Sequence, residues 1–169
     1  MKRILSLVVA LASLPALAGT LVGKVVHVAD GDTVTVLDAQ RQQHRVRLIG
    51  IDAPEKGQDF GQRSKENLIR IAAGRQAEVV FSKRDRYGRI VGKVLVAPEG
   101  CVGACPKGDA GLRQIEAGMA WHYKQYANEQ TIEDQRRYAE AEENARAKRL
   151  GLWGDTRMPV PPWEWRRQH

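Results

Sequence analysis

Apolar and polar residues alternate along three stretches in the first half of the chain, Thr20 to Ala29, Thr33 to Asp38 and Gln43 to Ile51, each rich in Val, Ile and Thr. A period of two turns one face of each stretch toward a core, so all three are expected strands. Asp30-Gly31 and the polar run DAQRQQ separate them. Connections this short imply antiparallel pairing, and Asp-Gly predicts a tight hairpin in which Gly31 takes a positive φ. The period then changes. In GQDFGQRSKENLIRIAAG, apolar side chains recur at Phe60, Leu68, Ile71 and Ala72 ahead of Gly74, a helical spacing with its stop signal. Two more strands, Gln76 to Lys83 and Ile90 to Val96, flank the turn RDRYGR. Leu112 to Ala117, closed by Gly118, reads as a short helix. Thr131, with Asp134 three residues on, caps a long charged helix running to Leu150, whose apolar stripe is Ile132, Tyr138, Ala141 and Ala145. The closing MPVPPWEWRRQH, with its three prolines, predicts an extended segment laid on the surface.

Five short strands with a helix between the third and fourth is the order of a five-stranded Greek-key β-barrel of the oligonucleotide/oligosaccharide-binding (OB) type, an α+β fold with about three helices. The chain begins differently. Lys2 and Arg3 precede an apolar run from Ile4 to Leu14 and the small-residue pattern Ala16-Leu17-Ala18. This predicts a signal peptide over 1–18, leaving one domain over 19–155 and the tail over 156–169. The apolar run is short for a bilayer, and no long uncharged run follows. The expectation is therefore an exported monomer without a membrane anchor, periplasmic or secreted. In such a compartment Cys101 and Cys105, in EGCVGACPKG, are expected to pair as a local disulfide, and their spacing without a nearby His argues against zinc.

The 169 residues carry 27 Lys and Arg against 20 Asp and Glu. Only Lys2 and Arg3 lie in the leader, so the remainder stays basic. A basic balance favours polyanionic partners, though it does not separate nucleic acid from anionic lipid. The acids narrow the field. In VADGDTVTV the turn accounts for Asp30 and Gly31 but not for Asp32, which opens a strand where carboxylates are disfavoured. A second acidic group stands at RVRLIGIDAPE, where Asp52 ends the third strand and Ala53-Pro54 forces a turn before Glu55. Antiparallel pairing brings Asp32 and Asp52 to the same sheet end, where two carboxylates and a turn carbonyl suit a hard divalent ion such as calcium. Arg45 and Arg47 share a strand face, and either can grip a phosphate bidentately. Strict alternation puts Arg47 and Asp52 on opposite faces unless a bulge intervenes. Arg89 follows the turn at Tyr87-Gly88.

DGDT, RLIGIDAPE and DRYGR, in this order and separation, resemble the three motifs of the thermonuclease family, the staphylococcal nuclease-like proteins, and the similarity runs from about Thr20 to Trp153. The resemblance implies a calcium-dependent phosphodiesterase on an OB-type barrel, cutting DNA and RNA to leave 3′-phosphates. Carried over motif by motif, Asp32, Asp52 and the Ala53 carbonyl would be the calcium ligands, and Glu55 would take a proton from, or orient, the attacking water. Arg47, preferred over Arg45 on this ground, and Arg89 would grip the phosphate. Tyr87 and one of Tyr123 or Tyr126 would flank the nucleotide. The loop from Pro98 to Gly108 is longer than the family's usual turn, and Gly111 stands where Asn is common. The four histidines are scattered and given no catalytic part, and Trp163 and Trp165 are read as packing anchors for the tail. The rival reading is a non-catalytic OB-type module binding single strands, against which the three acids argue, since unneutralised they repel a polyanion.

Overall fold

A computed structural model describes residues 19–101, 103–155 and 158–169, so the expected leader lies outside the described residues. The alternating stretches form strands β1 (Gly19–Val28), β2 (Thr33–Asp38) and β3 (Gln43–Leu48), followed by the two-residue β4 (Ile51–Asp52). After helix α1 (Gly61–Ala72) come β5 (Gln76–Arg84) and β6 (Ile90–Val96). The second half holds β7 (Gly108–Asp109), α2 (Ala110–Glu116), β8 (Trp121–His122), α3 (Ile132–Ala147) and α4 (Pro162–Gln168), with 3₁₀ segments at Lys124–Glu129, kinked at Tyr126, and at Gly151–Gly154.

Antiparallel pairing runs β3-β2-β1-β5-β6. A parallel contact between β3 and β6, with Arg47 opposite Val91, joins the ends and closes the five-strand barrel. β1 carries a register shift between Val25 and His27. The extra residue leaves Val26 and His27 both exposed, so that Val25 and Val28 both point inward. The barrel is filled by Val25, Val34, Val36, Val46, Val79 and Ile90, all at most 1% exposed. α1 caps it with Ser64, Leu68 and Ala72, one residue per turn on a single face. α2 is held at its start by Asp109, whose carboxylate accepts from the Gly111 and Leu112 N–H groups and from the Tyr138 hydroxyl of α3. A side chain at Gly111 would come within 2.9 Å of that hydroxyl, which accounts for the glycine there.

Four expectations change. The β1–β2 connection is a wider loop, closed by Ala29 N–H to Thr33 C=O, and Gly31 is absent from the positive-φ residues. Its smallness serves a close approach instead, because a Cβ would lie 2.0 Å from the Ser64 hydroxyl of α1. The third strand does not run through to Ile51 but breaks at Ile49-Gly50. The tail is not extended throughout: Pro162 to Gln168 is helical, since Pro at the first turn loses no helix hydrogen bond and pre-sets φ. Ile132 is 86% exposed, and Glu142 joins Tyr138, Ala141 and Ala145 on the buried face of α3. Thr131 caps that helix as expected, accepting from the Asp134 N–H.

Candidate active site

The break after β3 brings the acids and arginines together. Gly50 has φ +75° and turns the chain so that β4 leaves the barrel and pairs with β8, Asp52 lying opposite Trp121. The turn resets the alternation, and Arg47 and Asp52 meet. Arg47 Nη2 donates to Asp52 Oδ1 at 3.0 Å, while Nη1 lies 3.2 Å from Asp32 Oδ2. One guanidinium thus spans both carboxylates, which are 5% and 0% exposed. Asp32 is fixed further: its backbone N–H donates to Asp30, its carboxylate accepts from the Thr33 hydroxyl and the Ala53 N–H, and its C=O accepts from Leu48 N–H. Burial raises the Asp32 carboxyl above its ordinary value, with Arg47 pulling the other way. Burial works against the Arg47 charge, but Asp32 and Asp52 together raise its pKa.

Arg89 stands at the start of β6, beside β3 across the parallel junction. Asp85 orients it, accepting from Arg89 Nε at 2.7 Å and from its backbone N–H. Arg89 Nη1 reaches the Thr33 hydroxyl at 3.5 Å and so faces the same acids. Arg45, two residues out along β3 and opposite Thr35, is exposed and outside this group.

Asp32, Arg47, Asp85 and Arg89 line one cleft of about 810 Å³, together with Ala53, Glu55, Tyr87, Tyr123 and Tyr126, and Asp52, fully buried, lies behind the Arg47 guanidinium. Tyr87 is 70% exposed at the mouth, with the Arg89 guanidinium 5.6 Å from its ring centroid. Tyr123 and Tyr126 meet edge to face at 5.1 Å. Burial and the nearby Asp52 raise the Tyr123 hydroxyl above its ordinary value, so it stays neutral. His122 is buried outside the cleft against Gln130, and burial holds its pKa low.

Residues unassigned from the sequence also take part. Gln58 is buried, and its Oε1 accepts from the Glu55 N–H, bracing the loop after Asp52. Arg166 of α4 reaches the acids: Nη2 donates to Asp52 Oδ2 at 2.7 Å and Nη1 to Glu55 Oε1 at 2.6 Å. Those hydrogen bonds, first to Asp52 and then to Glu55, raise the Arg166 pKa. Pro at the first helical turn with two arginines in the last was the available signal for α4.

Among the described residues, no group of three or more His, Cys, Asp and Glu side chains is arranged to hold a metal. The donors present are nonetheless all oxygens. Two buried carboxylates with an exposed third at the rim draw in two guanidiniums, which is the chemistry a hard divalent cation answers. The buried carboxylates of Asp32 and Asp52 are of the kind such an ion takes.

A closed five-strand barrel with acids and arginines gathered beside a cleft at the end of β3 has the charges that suit a phosphate ester. Comparison with known proteins makes this specific. The family model described as staphylococcal nuclease homologue matches residues 45–155. An uncharacterized endonuclease of Escherichia coli is 39% identical over 168 residues, 99% of each chain. A micrococcal nuclease of Shigella flexneri is 38% identical over 167 residues, 99% of this chain and 92% of the relative. An uncharacterized endonuclease of Haemophilus influenzae is 39% identical over 145 residues, 86% of this chain and 72% of the relative. The chain belongs to the staphylococcal nuclease family, and it is a nuclease, a phosphodiester hydrolase, rather than a non-catalytic binding module.

Proposed function

We propose that this nuclease is calcium-dependent and exported, and that it hydrolyses both DNA and RNA to leave 3′-phosphate ends. The observation that carries the reading is the single Arg47 guanidinium at the cleft, which spans Asp32 and Asp52 and so brings both carboxylates to one cation. Asp32, Asp52 and the Ala53 carbonyl would hold the cation. Bound there, calcium would supply Lewis-acid polarisation of a phosphoryl oxygen and neutralise part of the charge that develops on it.

The chain's own groups carry the remaining steps. Glu55, with a side chain 41% exposed at the cleft rim, takes a proton from water as the water oxygen bonds to phosphorus. The bond to the 5′ oxygen breaks, and that oxygen leaves with a proton from solvent. Arg89 is fixed by Asp85 and so stabilises a non-bridging oxygen without reorganising, while Arg47, released from Asp32 and Asp52 as the cation takes them, turns to the same phosphate. Tyr87, with Tyr123 or Tyr126, flanks the sugar and base. The roles given to these residues act on phosphate and on ring faces, which DNA and RNA share.

The test is digestion of single-stranded DNA and of RNA by the purified protein, in calcium and in chelator. Both substrates should be cut in calcium and neither in chelator; digestion in chelator would remove the metal from the reading. Arg89→Ala should fold normally and lose about 10²- to 10³-fold in kcat, as for other lost transition-state donors. Glu55→Gln should lose about 10²- to 10⁴-fold.

A further inference from the structure

The tail reaches the cleft at three successive points. Gln58 Nε2, on the loop after Asp52, donates to the Val160 carbonyl at 2.5 Å. The Trp163 ring stacks on Tyr123 with centroids 5.4 Å apart and planes 26° from parallel, and it also meets Trp121 edge-on at 6.3 Å. Arg166 then bridges Asp52 and Glu55. One face of a ring that lines the cleft is thereby covered by an indole, and the buried Asp52 and the rim acid Glu55 are taken by a guanidinium.

Besides these contacts, α4 buries Pro162 at its start. The helix has seven residues, far below the roughly 12–15 at which an isolated helix becomes even marginally stable. It is therefore held by these docking contacts rather than by itself. The docking also has an electrostatic cost, because Arg47 and Arg166 share Asp52 Oδ1 at 3.0 and 3.2 Å and repel one another. A divalent ion entering at Asp52 meets a site already occupied by positive charge.

We propose that α4 is an intramolecular latch: Arg166 competes with the divalent cation for Asp52 and Glu55 while Trp163 covers the Tyr123 face that a nucleotide would use. The cation half rests on the reading of Asp52 as a cation ligand; the covering half does not. In the resting chain the helix occupies Asp52, Glu55 and one face of Tyr123 at a cleft that is otherwise open, and cation and nucleic acid together displace it.

Two variants of the full-length protein separate the halves. Calorimetric titration with calcium chloride should show Arg166→Ala binding calcium about tenfold more tightly than the unaltered protein. In chelator, anisotropy of a fluorescent, hydrolysis-resistant phosphorothioate oligothymidylate should show Trp163→Ala, which changes no charge, binding several-fold more tightly. If calcium binds Arg166→Ala no more tightly than it binds the parent, the competition is overturned. If the oligonucleotide binds Trp163→Ala equally, the indole covers nothing the strand uses, and if more weakly, the tail is part of the nucleic-acid site; either result overturns the latch. Should none of the proteins bind calcium, the calcium reading falls, and the oligonucleotide measurement alone decides for or against the latch.

Discussion

Asp85 and Arg89 show how a single pair of residues sets the cleft's charge. Burial acts to raise the Asp85 carboxyl, but hydrogen bonds from the Arg89 side chain and from the Arg89 and Tyr87 N–H groups outweigh it and hold the carboxyl below its ordinary 3.8. The stability this tether contributes is fully present above pH 3.8 and is lost only as pH falls through the lower folded value. An NMR titration of the Asp85 carboxyl carbon should give a midpoint below 3.8, and Arg89→Ala should move it back up toward 3.8. At this scale much was legible. Asp32 could be singled out because a carboxylate at a strand start lacks a local reason, and Arg47 because the motif names it. The contact between Arg47 and Asp52 was not legible, since alternation along an unbroken strand forbids it. Thr33 and Gln58 escaped notice because a hydroxyl in a strand and an amide in a loop are common surface residues.

At the scale of elements, the turn after β3 is what permits the site. Gly50 lies at φ +75°, and a Cβ there would also fall 2.2 Å from Gln130 Nε2. Gly50→Ala should cost about 1–3 kcal/mol, read from urea unfolding, and lower activity beyond the loss of folded protein because Arg47 and Asp52 move apart. Gly57→Ala, with open space around it and no positive φ, is the control and should be near neutral. Strands and helices bounded by strong signals were readable: Gly74 and Gly118 end helices, and Thr131 begins one. β4 and β8, two residues each, carry no periodicity to detect. α4 was hidden by its prolines, which suggest an extended chain and equally well start a helix.

Across the whole molecule the barrel closes through the parallel junction of β3 and β6, a non-local pairing between segments more than forty residues apart that no short-range pattern encodes. Strand count and order imply it only once a barrel is assumed. The cysteine loop is the opposite case, a local feature readable at once: Cys101 and Cys105 are disulfide-bonded, with Cα atoms 6.1 Å apart. That bridge closes a loop of sequence separation 4 between β6 and β7, and none of the loop's described residues lines the cleft. So small a loop restrains the unfolded chain little, about 2 kcal/mol on the loop-entropy model. The barrel, α1 and the Asp109–Tyr138 contact do not pass through it. Replacing both cysteines by serine should therefore lower the midpoint of thermal unfolding by several degrees while leaving kcat and KM for single-stranded DNA within about twofold. A collapse of activity in a variant that still unfolds cooperatively would show instead that the loop reaches the cleft in solution.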